Sequence, residues 1–436
     1  MFSGCSERSS ERFFCSKFLF PGGLQVSIRP RVARFSAFIH RVRLGEFLPV
    51  LFVLLLQGCS LAPEREEIPA DHLETARVPA IDLARFWGDQ PQLLIDEEWY
   101  QLPEGHYQAR YPKAFGRSHH YLAISGGGAK GAFGAGLLNG WSAAGTRPEF
   151  TIVTGISTGA LIAPFAFLGA EYDPVLREIY TSYSTDDLLI KRPLFTRFTR
   201  SSVMDSAPLR QKIEAYITPE VMKAIAAEAR AGRRLLIGTV NLDIARPVTW
   251  DITTIARSGE PEALALIHDV ILASASIPAV FPPVFIDVEA ENGERFQEMH
   301  VDGGAANQVF LYPAGLEWNR VLQQLNVPDE PRVYLIRNSK LFADPVTVRP
   351  RLSAISRRSV TSLIRTQGIG DMYRLYLDAK RDGLDYHLAV IPEEFDVPST
   401  EMFDLDYMQA LFDLGYGLAI QGYPWMEAPP GMNSGR

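Results

Sequence analysis

The sequence predicts an α/β fold, and three observations predict it. Short apolar strands alternate with helical segments along the chain after residue 120. Two of the strand-to-helix junctions are glycine-rich, the setting of anion-binding loops and nucleophile elbows. Hydrophobic residues make up 47% and charged residues 22% of 436, a composition that supports a sizeable globular core.

The first junction follows the strand Tyr121-Leu122-Ala123-Ile124-Ser125. It reads Gly126-Gly127-Gly128-Ala129-Lys130-Gly131, and a helix over Ala132 to Trp141 comes next. Successive glycines leave backbone N–H groups unobstructed, so they can approach an anion closely. That anion could be a phosphate or the oxyanion of acyl transfer. Gly126-x-Gly128-x-x-Gly131 has the spacing of a dinucleotide loop. A Walker loop would need Ser or Thr after its lysine, and Gly131 and Ala132 follow Lys130 instead. Glu149 stands where a ribose-binding acid is expected, but it precedes the next strand rather than ending it. Lys130 also reads simply as an exposed lysine at a helix start.

The second junction decides between the two anions. The β-branched run Thr151 to Ile156 enters Gly155-Ile156-Ser157-Thr158-Gly159, and an apolar helix follows over Leu161 to Leu168. This is G-x-S-x-G between strand and helix, the arrangement of a nucleophile elbow. Gly155 and Gly159 suit a turn where strand and helix crowd together. The helix start favours negative charge on Ser157. A serine elbow at the end of the next strand favours reading the upstream glycine loop as an oxyanion hole over a phosphate cradle.

The remaining elements follow in order. Asp173 to Arg200 reads as a peripheral helical excursion with a solvated face, or else a lid or membrane-facing surface. Helices are expected from Asp205 to Ile217 and from Val221 to Ala231, and strands at Leu235 to Val240 and Val248 to Ile252. A helix over Glu262 to Ala273 runs into Ala273 to Pro283, where three prolines end it. That segment reads as a rigid apolar wall, with Ser274 and Ser276 as helix-end residues. His300-Val301-Asp302-Gly303-Gly304 places a carboxylate on a sharp turn, free to take a proton from another side chain. Beyond it lie a strand at Arg332 to Arg337, a helix over Arg349 to Asp382 with weak points at Gly368 and Gly370, a strand from Asp385 to Ile391 and a helix over Asp406 to Gln421.

Four stretches together resemble the patatin-like phospholipase family: the glycine loop Gly126 to Gly131, the elbow Gly155 to Gly159, the segment Ala273 to Pro283, and Asp302-Gly303-Gly304. Ser125 departs from the aspartate that many members carry there. The resemblance implies a three-layer α/β sandwich with a central, mostly parallel sheet. It implies hydrolysis of lipid or lysolipid acyl esters with no cofactor and no metal. Ser157 would be the nucleophile, Asp302 its base, and Gly126, Gly127 and Gly128 the oxyanion donors. A triad using His387 or His300 is the competing arrangement. An acyltransferase would share the acyl-enzyme, and a lipid-binding protein without turnover would need none of these groups together.

The front of the chain has a different character. Arginines 29, 31, 34, 41 and 43 precede the apolar run Phe47 to Leu56 and Gln57-Gly58-Cys59. The run is too short to span a membrane and suits a signal peptide. Leu56 to Cys59 resembles a bacterial lipoprotein box, which implies lipidation at Cys59 and a membrane anchor in the cell envelope. Ser60 would suit the outer membrane, and such a tether would make a docking helix unnecessary. Past Cys59 the chain has no cysteine, and its net charge of -8 offers nothing to nucleic acid. The expected organisation is residues 1–59 as the signal region, whose long early part suits an over-extended start, and 60–116 as a proline-punctuated tether with peripheral elements. Residues 117–313 form the catalytic domain, 314–425 its α/β continuation, and 426–436 a disordered tail.

Overall fold

The computed structural model describes residues 65–90, 97–192, 201–312, 316–343 and 345–432, all within the unit Ser60–Arg436. The signal-peptide reading and Cys59 lie outside the described residues, as does the basic aromatic stretch at 193–200.

A nine-stranded sheet organises the described chain. Its strands are β1 (Arg85–Trp87), β2 (His120–Ile124), β3 (Ile152–Ile156), β6 (Arg234–Asn241), β7 (Arg246–Asp251), β8 (Val284–Glu289), β9 (Arg295–Asp302), β10 (Arg332–Arg337) and β11 (Asp385–Val390). The short β4 (Ile190–Lys191) and β5 (Met204–Asp205) form a separate hairpin. The main path runs β1-β7-β6-β3-β2-β10-β11. From β6 to β11 the neighbours are parallel, while β7 and β1 complete one edge antiparallel.

Side chains leave a strand on alternate faces. Leu122 and Ile124 of β2 enter one buried cluster, and Tyr121 and Ala123 enter the other. The first face is covered by α1 (Gly131–Ala143), α2 (Thr158–Leu168), α3 (Asp173–Thr181), α4 (Ala207–Tyr216) and α5 (Ala263–Ser274), among others. The second is covered by the C-terminal half of α6 (Leu352–Asp382), through Met372, Leu375 and Tyr376, and by the helix Trp318–Gln324. The helix α7 (Leu405–Ile420) returns to the first face through Met408, Leu411 and Phe412. The result is a three-layer α/β sandwich with a mostly parallel sheet. Burying a large apolar side chain stabilises by about 1.5–3 kcal/mol, so both clusters are needed to hold the layers.

One edge of β6 sets the position of the functional residues. Its first half pairs with β3, ending at Ile156 opposite Gly238. Its second half pairs with β9, starting at Thr239 opposite Asp302. Two strands thus meet end to end along one neighbour, and Ser157 and Asp302 lie at the junction.

Four features differ from the sequence reading. Asp82 to Trp87 suggests a short helix, yet Arg85–Trp87 is a strand, because the edge of β7 supplies its hydrogen bonds. Gly368 does not weaken α6. A Cβ there would lie 2.9 Å from Arg337 Nη1, so the glycine admits close packing. The β8–β9 hairpin is absent from the expected elements. The tail is also partly ordered: Met426 bridges to Leu388 and Ala428 is buried, because the edge strand β11 offers a free backbone row.

Candidate active site

Ser157 sits between β3 and α2 with φ 55° and ψ -123°, a left-handed conformation for a residue with a side chain. Such strain costs on the order of 1–3 kcal/mol and persists only where the surroundings enforce it. The enforcement is visible. A Cβ on Gly155 would lie 2.3 Å from the Gly159 carbonyl, and one on Gly159 would lie 2.3 Å from the Ile124 carbonyl. The Ser157 N–H donates to Ser274 Oγ at 2.9 Å, and Ser274 Oγ donates to the Gly238 carbonyl at 2.7 Å. The turn is therefore pinned by strand, helix and the end of α5.

Asp302 closes β9 and is buried. Its Oδ1 accepts from Gly304 N–H at 2.7 Å, and the Ser157 side chain beside it favours its charged form. Its own N–H donates to the Ser276 carbonyl at 2.9 Å. Burial pushes its pKa up to about 6, against the stabilising influence of Ser157 and Gly304. A Cβ on Gly303 would lie 2.5 Å from the Gly238 carbonyl, so a glycine must follow the aspartate for β9 to meet β6. A hydroxyl beside a buried carboxylate of this basicity can pass its proton to it near neutral pH.

The glycine loop borders the same point. A Cβ on Gly126 would lie 3.2 Å from Ser157 Cβ. The N–H of Gly126 donates to the Gln308 carbonyl at 3.2 Å, so it is already engaged. This corrects the expectation of three donors. Gly127 and Gly128 open the 3-10 turn Gly128–Lys130 that leads into α1, where first-turn N–H groups have no intrahelical partner. Lys130 is exposed, on the far side of the loop. Gly131 packs on α2, since a Cβ there would lie 2.2 Å from Thr158 Oγ1. Gly304 offers its N–H to Asp302 and its carbonyl to Gln308 Nε2 at 2.7 Å.

Neither histidine is placed for a triad. His300 is buried, with Nδ1 3.0 Å from Thr239 Oγ1 and Nε2 3.0 Å from Glu298 Oε2. Trp250 Nε1 donates to Thr239 Oγ1 at 2.8 Å, which leaves the threonine proton for Nδ1 and puts the histidine proton on Nε2. Burial lowers the His300 pKa, in keeping with a neutral ring. Burial opposes the charge on Glu298, but Arg85 and His300 outweigh it and hold its pKa at about 2. His387 stacks on Tyr334 and bonds Asp385. Register places it level with Tyr334, Leu122 and then Val153, three strands across and four residues short of Ser157. At about 4.8 Å per strand and about 3.3 Å per residue, the separation is roughly 20 Å.

Three supporting residues escape the sequence reading. Ser274 and Ser276 belong to a segment that reads as a wall, yet they hold Ser157 and Asp302 respectively. Asn338, past the end of β10, receives Gly134 N–H on Oδ1 at 3.1 Å and donates from Nδ2 to the Ser125 carbonyl at 3.0 Å. It fixes the glycine loop from the strand beside it. No local signal marks these three.

Two hollows of opposite character adjoin the loop. One, ≈ 850 Å³ and partly open to solvent, has Gly128, Ser157 and Thr158 at its floor. Its walls are apolar: Leu161 and Phe165 of α2, Ile179 and Tyr180 of α3, Ile213 of α4, and Phe281. The segment after Asp173 is thus a cavity wall rather than a peripheral excursion. The other, ≈ 1640 Å³ and also partly open, runs from Gly126 and Gly127 toward α6. It is bordered by Lys130, Arg337, Lys340, Arg358 and Arg365 against a single carboxylate among the described residues, Asp396. Arg337 is 5% exposed, and its Nε–H has no partner among the described residues. Burial and then Arg365 push its pKa down to about 10, which still leaves it charged at neutral pH.

No curated protein matches the sequence. Among solved structures, VipD from Legionella pneumophila is similar at 11% identity, over 68% of this chain and 67% of that one. The TM-score is 0.28, too low for the likeness to bear on function. The family model of patatin-like phospholipases matches residues 122–314, the stretch that holds β2, β3, β6, β9, the glycine loop, Ser157 and Asp302. Residues 122–314 of this chain are thus similar to the patatin-like phospholipases.

Proposed function

We propose that this chain hydrolyses acyl esters of lipids through Ser157 and Asp302. One observation carries the proposal: a strained serine beside a buried carboxylate opens onto an apolar cavity. Ser157 Oγ attacks the ester carbonyl as Asp302 takes its proton. Charge develops on the carbonyl oxygen, where the N–H groups of Gly127 and Gly128 and the start of α1 favour it. Asp302 then gives its proton to the departing alcohol, leaving an acyl-enzyme on Ser157. Water, deprotonated by Asp302, attacks that ester, and Ser157 recovers its proton as the fatty acid leaves. The acyl chain lies in the apolar cavity, and the basic cleft receives the phosphate of a phospholipid head group. Replacing Ser157 with alanine should abolish ester hydrolysis and leave the fold intact. Full activity in that variant would reject the proposal.

The same proposal places the enzyme in a bacterial envelope, anchored by lipid at Cys59 and facing the periplasm from the outer membrane. The support is the basic flank, the short apolar run and the Leu-x-Gly-Cys ending. Two or more acyl chains would anchor it firmly, where one binds only marginally. A Cys59→Ala variant should lose membrane attachment on cell fractionation. A parent N-terminal peptide without lipid mass would reject the anchor.

A further inference from the structure

Exposed apolar side chains are not spread evenly over the described surface. Of seventeen strongly exposed large hydrophobic residues, eight lie between 342 and 364. Leu352 is 83% exposed, Leu363 69%, Phe342 62% and Val346 60%. This segment precedes and opens α6, whose C-terminal half is buried against the sheet. Its N-terminal half therefore stands clear of the core. Single exposed apolar residues are ordinary, but a run of this kind marks an interaction surface.

The helix has two distinct sides. At about 100° per residue, Leu352, Ile355, Val360 and Leu363 fall within one half of its circumference. Arg358, Thr361 and Arg365 fall on the other, and these three border the basic cleft. Leu352, Ile355, Val360 and Leu363 thus face away from the protein, while Phe342, Val346 and Ile364 join Arg358, Thr361 and Arg365 along the cleft that reaches Gly126 and Gly127. The charge is as uneven as the hydrophobicity. Residues 345–370 contain five arginines and no acidic residue, in a chain of net charge -8. Arg349 and Arg351, at the start of the apolar side, are exposed.

We infer that the segment from Phe342 to Ile364 docks the enzyme on an anionic lipid surface. Its apolar side enters the head-group boundary, its arginines meet acidic lipids, and the cleft behind it opens toward the bilayer. An apolar side with exposed arginines at its start fits such a surface. The continuity of the helix with the cleft gives a lipid leaving the bilayer a short route to Ser157. The inference rests on the lipid-hydrolase reading for its purpose. Its geometry does not depend on turnover. It also revises the expectation that an anchor at Cys59 would make a docking helix unnecessary.

The test is hydrogen exchange on the full-length chain carrying Ser157→Ala, with and without vesicles. Because this protein is blocked in turnover, the result does not depend on whether the parent is a hydrolase. With vesicles containing phosphatidylglycerol, amides of residues 342–364 should exchange about tenfold more slowly or slower still, with little change on pure phosphatidylcholine. Loss of that protection at high salt is also expected. Absent protection in this segment would overturn the inference, as would equal protection on the two lipids. Protection that grows with protein concentration alone would assign the surface to a second copy and overturn it too. In the active chain, Leu352→Ser with Leu363→Ser should reduce hydrolysis of vesicle phospholipid by about tenfold or more. Hydrolysis of a soluble short-chain ester should stay unchanged. Equal loss on both substrates, or on neither, would contradict docking.

Discussion

The two hollows beside the glycine loop differ in charge, in origin and in how the sequence encodes them. The apolar cavity is walled largely by residues within 122–314, the domain that the family model matches. The basic cleft is bordered mainly by residues after 314, with Lys130 as an exception among its cations. One side of the nucleophile is thus part of the domain, and the other is supplied by the chain beyond residue 314. Under the proposed function, the acyl chemistry and the choice of head group are encoded in separate stretches of chain. Changes on one side should move turnover on every ester, and changes on the other should move only the preference between lipids.

The largest expected effect is on the shared centre. Asp302→Asn should lose about 10²–10⁴-fold in kcat, the usual worth of a positioned proton acceptor. In the parent, kcat/KM should fall as pH drops through about 6, where Asp302 takes up a proton. The stability effect has the opposite sense. A carboxyl with a raised pKa contributes stability below its unfolded value, and that contribution is lost as pH rises through about 6. Asp302→Asn should therefore raise Tm at pH 8, by an amount equivalent to at most roughly 3 kcal/mol. A flat pH profile between 5 and 8 would remove Asp302 from the role of base.

A smaller and selective effect is expected at Arg337. A charge-assisted hydrogen bond to phosphate is worth about 1.5–3 kcal/mol, so Arg337→Gln should weaken phospholipid hydrolysis about ten- to a hundredfold. A neutral short-chain ester should be hydrolysed at the parental rate. The variant should melt no lower than the parent, because the buried Arg337 Nε–H has no hydrogen-bond partner among the described residues and is costly to the fold. Equal loss on both substrates would break the contrast between the two hollows. Ser274→Ala removes the acceptor for Ser157 N–H and should cost about fivefold in kcat, one neutral hydrogen bond. His387→Ala should change turnover least, being remote from the nucleophile. A deficit there as deep as that of Asp302→Asn would restore a triad.

Much of the centre is legible in the chain because its determinants are local. Gly155 to Gly159 marks the elbow, and Asp302-Gly303-Gly304 marks the turn that carries the base. Strands at 121–125, 235–240, 332–337 and 385–391 read correctly to within a residue or two, being apolar runs bounded by turn residues. Asn292-Gly293 between alternating apolar strands is a local signal for the β8–β9 hairpin, though the expected elements leave it out. The illegible part depends on contacts distant in sequence. Arg85–Trp87 is a strand only because β7 presents an open edge. Gly126 is lost as an oxyanion donor only because Gln308 reaches its N–H. Ser274 and Ser276 support the centre only because α5 ends against both strand termini. Arg337 reads as an ordinary strand residue until the fold buries it in the cleft.

Under the proposed function, Ser157 is the residue that becomes acylated. The most direct test is to treat the full-length protein with a fluorophosphonate and identify the modified peptide by mass spectrometry. One adduct is expected, on the peptide that contains Ser157, with no labelling of the Ser157→Ala variant. An adduct on Ser125, Ser274 or another residue, or none on the parent, would contradict it.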